Sequence, residues 1–196
     1  MIVSIIGLGY VGLSLSVLLS QKFKVFAVDV DPQKVDQVNN GVSPIVDSEI
    51  SDFLTTKNLD LTATLDFDIA VSASDYVVIA TPTDYDVATN SFDTSSVRAV
   101  AAQARHVNPA ATIIVKSTIP IGFIDELRRE LDCQNIFFSP EFLREGRALH
   151  DNLYPSRIIV GGDSSACRTF AEMLASCSMG EDCPVILMGA KEAEAV

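Results

Sequence analysis

The chain has no tryptophan, and aromatic residues make up only 7% of its 196 residues. A core with few rings must be filled by aliphatic side chains, and hydrophobic residues reach 48%. That mixture of Val, Ile, Leu and Ala suits parallel strands covered by helices on both faces. Basic residues are scarce too: 14 Lys and Arg stand against 26 Asp and Glu, a net charge of -12. The imbalance argues against duplex nucleic acid or an anionic membrane as partner. An anionic ligand must then be met locally, by helix N-termini and a few placed cations.

Cys133, Cys167, Cys177 and Cys183 form no C-x-x-C pair, and His106 and His150 lack metal-ligand spacing, so no metal site is expected. No apolar run approaches the roughly 18 residues of a membrane-spanning helix. Met1 leads directly into an apolar strand and a glycine loop, so no secretory leader is expected and a reducing cytoplasm is the simplest home. Linkers, repeats and low-complexity tracts are absent, and the length suits one domain with a substantial core.

What the chain does contain is a regular alternation. Short β-branched runs at Ile2–Ile6, Lys24–Val28, 76–80, Thr112–Val115, Ile136–Phe138, 157–160 and Val185–Met188 read as buried strands. Amphipathic stretches lie between them. Asp31-Pro32 starts one helix and Asn39-Asn40-Gly41 ends it. Thr94 is placed to cap another, in which Val97, Val100, Ala101, Ala104 and Val107 recur at helical spacing. The 165–178 stretch also reads as a helix. Repetition of strand and helix predicts an α/β fold: a doubly wound, mostly parallel, Rossmann-like sheet. It is read as one domain over 1–189, with 190–196 beginning a further helix.

Gly7-Leu8-Gly9-Tyr10-Val11-Gly12 follows the first strand and opens a helix. Gly7 permits the tight turn, Gly9 lets a pyrophosphate approach the backbone, and Gly12 lets the helix pack close to the strand. The second strand ends in Asp29, about 20 residues on, where a carboxylate accepts adenosine ribose hydroxyls and repels a 2′-phosphate. The pattern predicts NAD rather than NADP. Lys34 lies in the next helix, where it reads either as a solvated lysine or as a contact to the cofactor.

Ligands of such sheets bind at the carboxyl ends of the strands. Three of these ends carry unusual polar segments: Thr81-Pro82-Thr83-Asp84, Lys116-Ser117-Thr118-Ile119-Pro120-Ile121-Gly122 and Ser139-Pro140-Glu141-Phe142-Leu143-Arg144-Glu145-Gly146. Read alone, Thr83 and Thr118 also suit helix capping, Glu141 suits a first-turn helix acid, Glu145 suits a surface ion pair, and Arg157 suits a strand opening at the surface. With the glycine loop and the run Asp151-Asn152-Leu153-Tyr154-Pro155-Ser156-Arg157, these segments resemble the UDP-glucose/GDP-mannose dehydrogenase family over the whole chain.

The resemblance implies oxidation of the C6 alcohol of a nucleotide sugar to a carboxylate, with two NAD and a cysteine thioester on the path. UDP-glucose is the implied substrate. GDP-mannose, an N-acetylated UDP-sugar and a non-enzymatic NAD-binding module remain as alternatives. Residues 7–12, Asp29 and Lys34 are implied to hold NAD. Thr81, Pro82, Thr83 and Thr118 would line its nicotinamide side, with Thr118 also positioning a catalytic water. Glu141, Phe142, Leu143, Arg144 and Glu145 would contact the sugar nucleotide. Glu141 would be the base for thioester hydrolysis, and Glu145 would reach both substrate and cofactor. The family's nucleophilic cysteine lies in its second half, so the chain is expected to stop short of it, and the whole enzyme is expected to be a homodimer.

Overall fold

The structure, a computed structural model, describes residues 1–86, 91–180 and 183–196. The chain opens with β1 (Ile2–Ile6), α1 (Tyr10–Ser20), β2 (Lys24–Val28), α2 (Pro32–Asn39), α3 (Ser48–Thr56) and β3 (Leu61–Thr64). A second half follows with α4 (Phe67–Ser72), β4 (Tyr76–Ile79), an antiparallel hairpin of β5 (Tyr85–Asp86) and β6 (Ser91–Phe92), α5 (Ser95–Val107), β7 (Thr112–Val115), α6 (Phe123–Glu130) and β8 (Ile136–Phe138). The remainder is α7 (Ala148–Leu153), β9 (Ile158–Gly161), α8 (Ser165–Cys177), β10 (Val185–Met188) and α9 (Ala190–Glu194).

Six strands form one parallel sheet in the order β3-β2-β1-β4-β7-β8. Leaving out the hairpin, this is the doubly wound order 3-2-1-4-5-6 of dinucleotide-binding sheets. The order reverses between β1 and β4, so the loops leaving those strands diverge and open a crevice at their carboxyl ends.

Side chains alternate between two cores along each strand, as a pleated strand requires. Val3, Ile5, Tyr76, Val78, Ile114 and Phe137 face α1, α3, α7 and α8. Ile6, Val77, Ile79, Ile113, Val115 and Phe138 face α4, α5, α6 and α9. Burying each large aliphatic side chain contributes roughly 1.5–3 kcal/mol, so both layers are held firmly to the sheet. Helix α1 is buried from Gly12 to Ser20 in spite of three serines. Ser14, Ser16 and Ser20 return their hydroxyls to the carbonyls of Tyr10, Gly12 and Val17, which satisfies the polar groups inside the helix.

The structure corrects several details read from the sequence. Strand β3 was not expected: Leu-Thr-Ala-Thr has no apolar run, and only Ala63 is fully buried. Strands β9 and β10 pair with each other rather than extending the main sheet. Packing of Ile159 with Phe138 and a hydrogen bond from Ser139 Oγ to the Ile159 carbonyl at 2.8 Å hold the pair against it. Arg157 lies just before β9 instead of opening it. Thr94 occupies the cap position of α5 without a side-chain bond, and Asp93 Oδ1 instead accepts from the Ser95 amide at 2.9 Å.

Asp31 and Asp47 cap α2 and α3 through their carboxylates. Asp47 is buried and serves a second helix, because its Oδ2 accepts from the Leu149 amide of α7 at 3.3 Å. The N-terminus of α6 is capped from 70 residues away, where Glu194 accepts from the Gly122 and Ile124 amides at 2.6 and 2.7 Å. That bond and the buried Ala193 dock α9 on the domain.

Candidate functional site

The turn after β1 is shaped by contacts that leave no room for side chains. Gly7 has φ +102°, and a Cβ there would lie 2.6 Å from the Ala80 carbonyl oxygen. A Cβ on Gly12 would lie 1.8 Å from the Gly7 carbonyl oxygen. Gly9 differs: its Cβ would meet nothing within 4 Å, and it sits at the N-cap of α1 with no side-chain cap. Packing therefore does not require glycine at position 9. Open space before a helix N-terminus fits the approach of a pyrophosphate to backbone amides.

Asp29, at the end of β2, closes one side of this cradle. Its Oδ2 accepts from the Leu8 amide at 2.7 Å, and its Oδ1 accepts from the Asp31 amide at 3.0 Å. Each carboxylate oxygen has two acceptor sites, so Oδ1 keeps capacity for a ribose hydroxyl. Lys34 is a partner of this carboxylate, with Nζ 3.4 Å from Oδ2. The residues present fit NAD, and a 2′-phosphate here would meet the nearly buried negative charge of Asp29.

Across the switch point, the loop after β4 is pinned rather than free. Ser117 Oγ donates to the Thr81 carbonyl at 2.7 Å, Ser96 Oγ donates to the Pro82 carbonyl at 2.9 Å, and the Thr81 and Ser96 hydroxyls lie 3.0 Å apart. Thr83 is half-buried, Thr118 is exposed, and neither caps a helix: Thr94 stands at the cap of α5 and Gly122 at that of α6.

The third segment, after β8, forms one wall of a cleft of about 300 Å³. Residues 141–147 are irregular, so Glu141 is not a first-turn helix acid. Glu141, Phe142, Leu143 and Arg144 line the cleft, facing Asp151, Asn152 and Arg157. Glu145 is exposed and lies outside that lining.

Several contacts shape this wall. Glu141 Oε2 accepts from the Leu143 amide at 3.0 Å. Arg144 bonds both oxygens of Asp151, with Nε to Oδ2 at 3.1 Å and Nη2 to Oδ1 at 2.5 Å, which holds the Asp151 carboxyl below the usual carboxylate range. The Arg157 guanidinium stacks 3.9 Å from the centre of the Phe142 ring. Asn152 donates to Ser14 Oγ at 3.0 Å and Leu18 reaches the cleft, so α1 borders both the cleft and the glycine turn.

One cleft residue, Lys116, was not singled out from the sequence. Its side chain is buried, and desolvation pushes its pKa down to about 8, opposed by the charge of Glu141. The signal was present: a lysine directly after the fully buried Thr-Ile-Ile-Val strand has little choice but to be buried.

Comparison with known proteins agrees with this geometry. Residues 1–176 match the NAD binding domain of the UDP-glucose/GDP-mannose dehydrogenase family. The chain is 46% identical to the UDP-glucose 6-dehydrogenase of Streptococcus pneumoniae, over 98% of this chain and 50% of that protein. It is 40% identical to the Campylobacter jejuni enzyme of the same name, over 98% and 49%. Among solved structures, a GDP-mannose dehydrogenase ternary complex from Pseudomonas aeruginosa superposes with a TM-score of 0.86 at 28% identity, over all of this chain and 48% of the other. A UDP-glucose dehydrogenase from Pyrobaculum islandicum gives 0.86 at 28%, over 99% and 47%. The chain thus spans about half the length of the curated relatives it matches. It belongs to the UDP-glucose/GDP-mannose dehydrogenase family, of which it is an NAD-binding domain.

Proposed function

We propose that this chain is the cofactor-binding part of a UDP-glucose 6-dehydrogenase, which converts UDP-glucose, two NAD and water to UDP-glucuronate and two NADH. Similarity to the two bacterial enzymes of that name across nearly the whole chain carries the reading. It exceeds the similarity to the GDP-mannose enzyme, which makes a sister nucleotide-sugar dehydrogenase the second choice. The position of α1 supports the assignment, since one helix borders both the cofactor turn and the cleft. On the family resemblance, the whole protein is read as a cytoplasmic homodimer, with 190–196 leading toward its other half.

NAD, when bound, supplies the hydride acceptor. The chain's own residues bind and orient. Gly7, Leu8, Gly9, Tyr10, Val11 and Gly12 receive the pyrophosphate, Asp29 and Lys34 the ribose, and Thr81, Pro82 and Thr83 the nicotinamide side. Phe142, Leu143 and Arg144 hold the nucleotide sugar, and Glu145 reaches both ligands. In the last step Glu141 takes a proton from a water positioned by Thr118. That water adds to the thioester carbonyl, and the sulfur leaves as thiolate.

The thiolate comes from outside this chain. Burial raises the Cys167, Cys177 and Cys183 thiols, so none of these three is activated as a nucleophile, and Cys133 is packed into the core.

The test uses the 196-residue chain alone. NAD at 100 times its Kd should stabilise it by about 2.7 kcal/mol, a thermal shift of roughly 5–10 °C for a domain of this size. NADP should shift it less. Asp29→Asn keeps an acceptor for the Leu8 amide, removes the charge and should narrow that preference. Equal shifts with both cofactors would overturn the NAD reading. Steady NADH formation from UDP-glucose by this chain alone would overturn the assignment of the thiolate to the other half.

A further inference from the structure

The reaction outlined above makes no use of Lys116, yet the structure spends a buried charge on it. Its ammonium donates to the Ser139 and Pro140 carbonyls, each at 3.2 Å, and to Ser139 Oγ at 3.3 Å. Three N–H donors therefore meet three acceptors. Ser139 Oγ passes its own hydrogen to Ile159, so the network ties the carboxyl ends of β7 and β8 to β9. A buried ammonium is costly even when fully bonded, and a hydrophobic side chain of similar size would fill the space at lower cost. Stability alone does not explain a lysine here.

The pinned groups explain it better. The two carbonyls belong to the residues immediately before Glu141. The ring of Pro140 already fixes its φ, and holding the carbonyls of Ser139 and Pro140 fixes ψ at both residues. Three of the backbone torsions that lead to Glu141 are then held, which narrows where its side chain can start. The carboxylate of Glu141 also opposes loss of the lysine proton, so the two charges are coupled. The other ionisable groups lining the cleft are Arg144 from the same loop, Asp151 and Tyr154 on and after α7, and Arg157 before β9.

We propose that Lys116 is a positioning residue for Glu141, holding the Ser139-Pro140 backbone so that the carboxylate sits where water must be deprotonated. The proposal rests on the reading of Glu141 as the base. With its proton lost, Lys116 has two donors for three acceptors and turns a lone pair toward carbonyl oxygens, so the hold is broken. Burial brings that loss to a pH of about 8, far below an ordinary lysine.

The experiment follows both half-reactions of the whole enzyme across pH, by single-turnover NADH formation and by mass spectrometry of the covalent adduct. Lys116→Met should slow thioester hydrolysis on the order of tenfold to a hundredfold. The first hydride transfer should stay within about twofold, so adduct accumulates. Wild-type hydrolysis should decline above a pH of about 8. Lys116→Arg, charged at every pH used, should not show that decline.

Equal slowing of both half-reactions by Lys116→Met would make the lysine merely structural and overturn the proposal. So would an alkaline limb identical in wild type and Lys116→Arg, which decides the matter if Lys116→Met does not fold. Glu141→Gln is run beside them. If it accumulates no adduct, the reading of Glu141 falls and takes the proposal with it. If it accumulates adduct while a folded Lys116→Met does not, the proposal alone falls.

Discussion

The two sides of the crevice are built by different means. On the β1–β2 side, the main chain does nearly everything: two positions require glycine because a Cβ would fall 2.6 or 1.8 Å from a carbonyl oxygen, a third leaves space open, and one aspartate accepts from loop amides. On the β7–β9 side, an irregular segment is held by side chains: Lys116 beneath it, Arg144 against Asp151, and Arg157 over Phe142. The first side suits a cofactor whose phosphates are met by main-chain groups. The second suits a substrate whose identity is read by side chains, and it can be altered without rebuilding the fold.

The contrast should break most sharply at the glycines. Gly12→Ala places a methyl on a carbonyl oxygen and is expected to cost roughly 4 kcal/mol or more, among the largest single-residue effects. Gly9→Ala meets open space and should leave stability within about 0.5 kcal/mol, while raising the Kd for NAD about tenfold, or 1.4 kcal/mol. Urea unfolding and titration calorimetry on the two variants measure this. A Gly12→Ala chain as stable as wild type would mean that the turn is looser than the contacts show.

A smaller effect is expected on the other side, and it should depend on pH. Arg144 keeps the Asp151 carboxyl below the usual range in the folded chain. Such a depressed group contributes stability above its unfolded value and loses it as pH falls through the folded one. Asp151→Asn should therefore lower the melting temperature at neutral pH, with the gap to wild type closing in acid. A gap that is constant with pH would assign the effect to lost packing instead.

The smallest change belongs to the ring under Arg157. Phe142→Leu removes a cation–π contact at a partly exposed site, about 0.5–1 kcal/mol. It should weaken UDP-glucose binding to the whole enzyme more than it lowers stability. A variant with unchanged affinity would separate this stack from substrate binding.

The same contrast governs how much could be read in advance. The glycine turn, Asp29 and the α/β alternation are local constraints, each visible within about 20 residues of sequence. The residues that failed to announce themselves act at a distance. Lys116 finds its partners 23 residues on, and Glu194 caps a helix 70 residues back. Strand β3 was hidden because an edge strand with one fully buried residue carries no apolar signature. Thr94 was read as a capping hydroxyl because cap propensity does not tell neighbouring acceptors apart, and Asp93 supplies the bond. Family resemblance points to 141–145 as a unit, of which Glu141 to Arg144 line the cleft and Glu145 is exposed.

Asp47 links parts of the chain that are a hundred residues apart. Its two carboxylate oxygens serve the starts of α3 and α7, and His150 Nδ1 meets Glu49 Oε1 at 2.9 Å between the same helices. Helix α7 carries Asp151 and Asn152, and so forms a wall of the cleft. Releasing the start of α7 gives up the bond from the Leu149 amide to the carboxylate that also caps α3, so opening α7 costs a contact made outside the helix itself. Hydrogen exchange is expected to show the two helices opening together. A six-residue helix, too short to persist alone in water, is thereby tied at its start to a helix a hundred residues earlier in the chain.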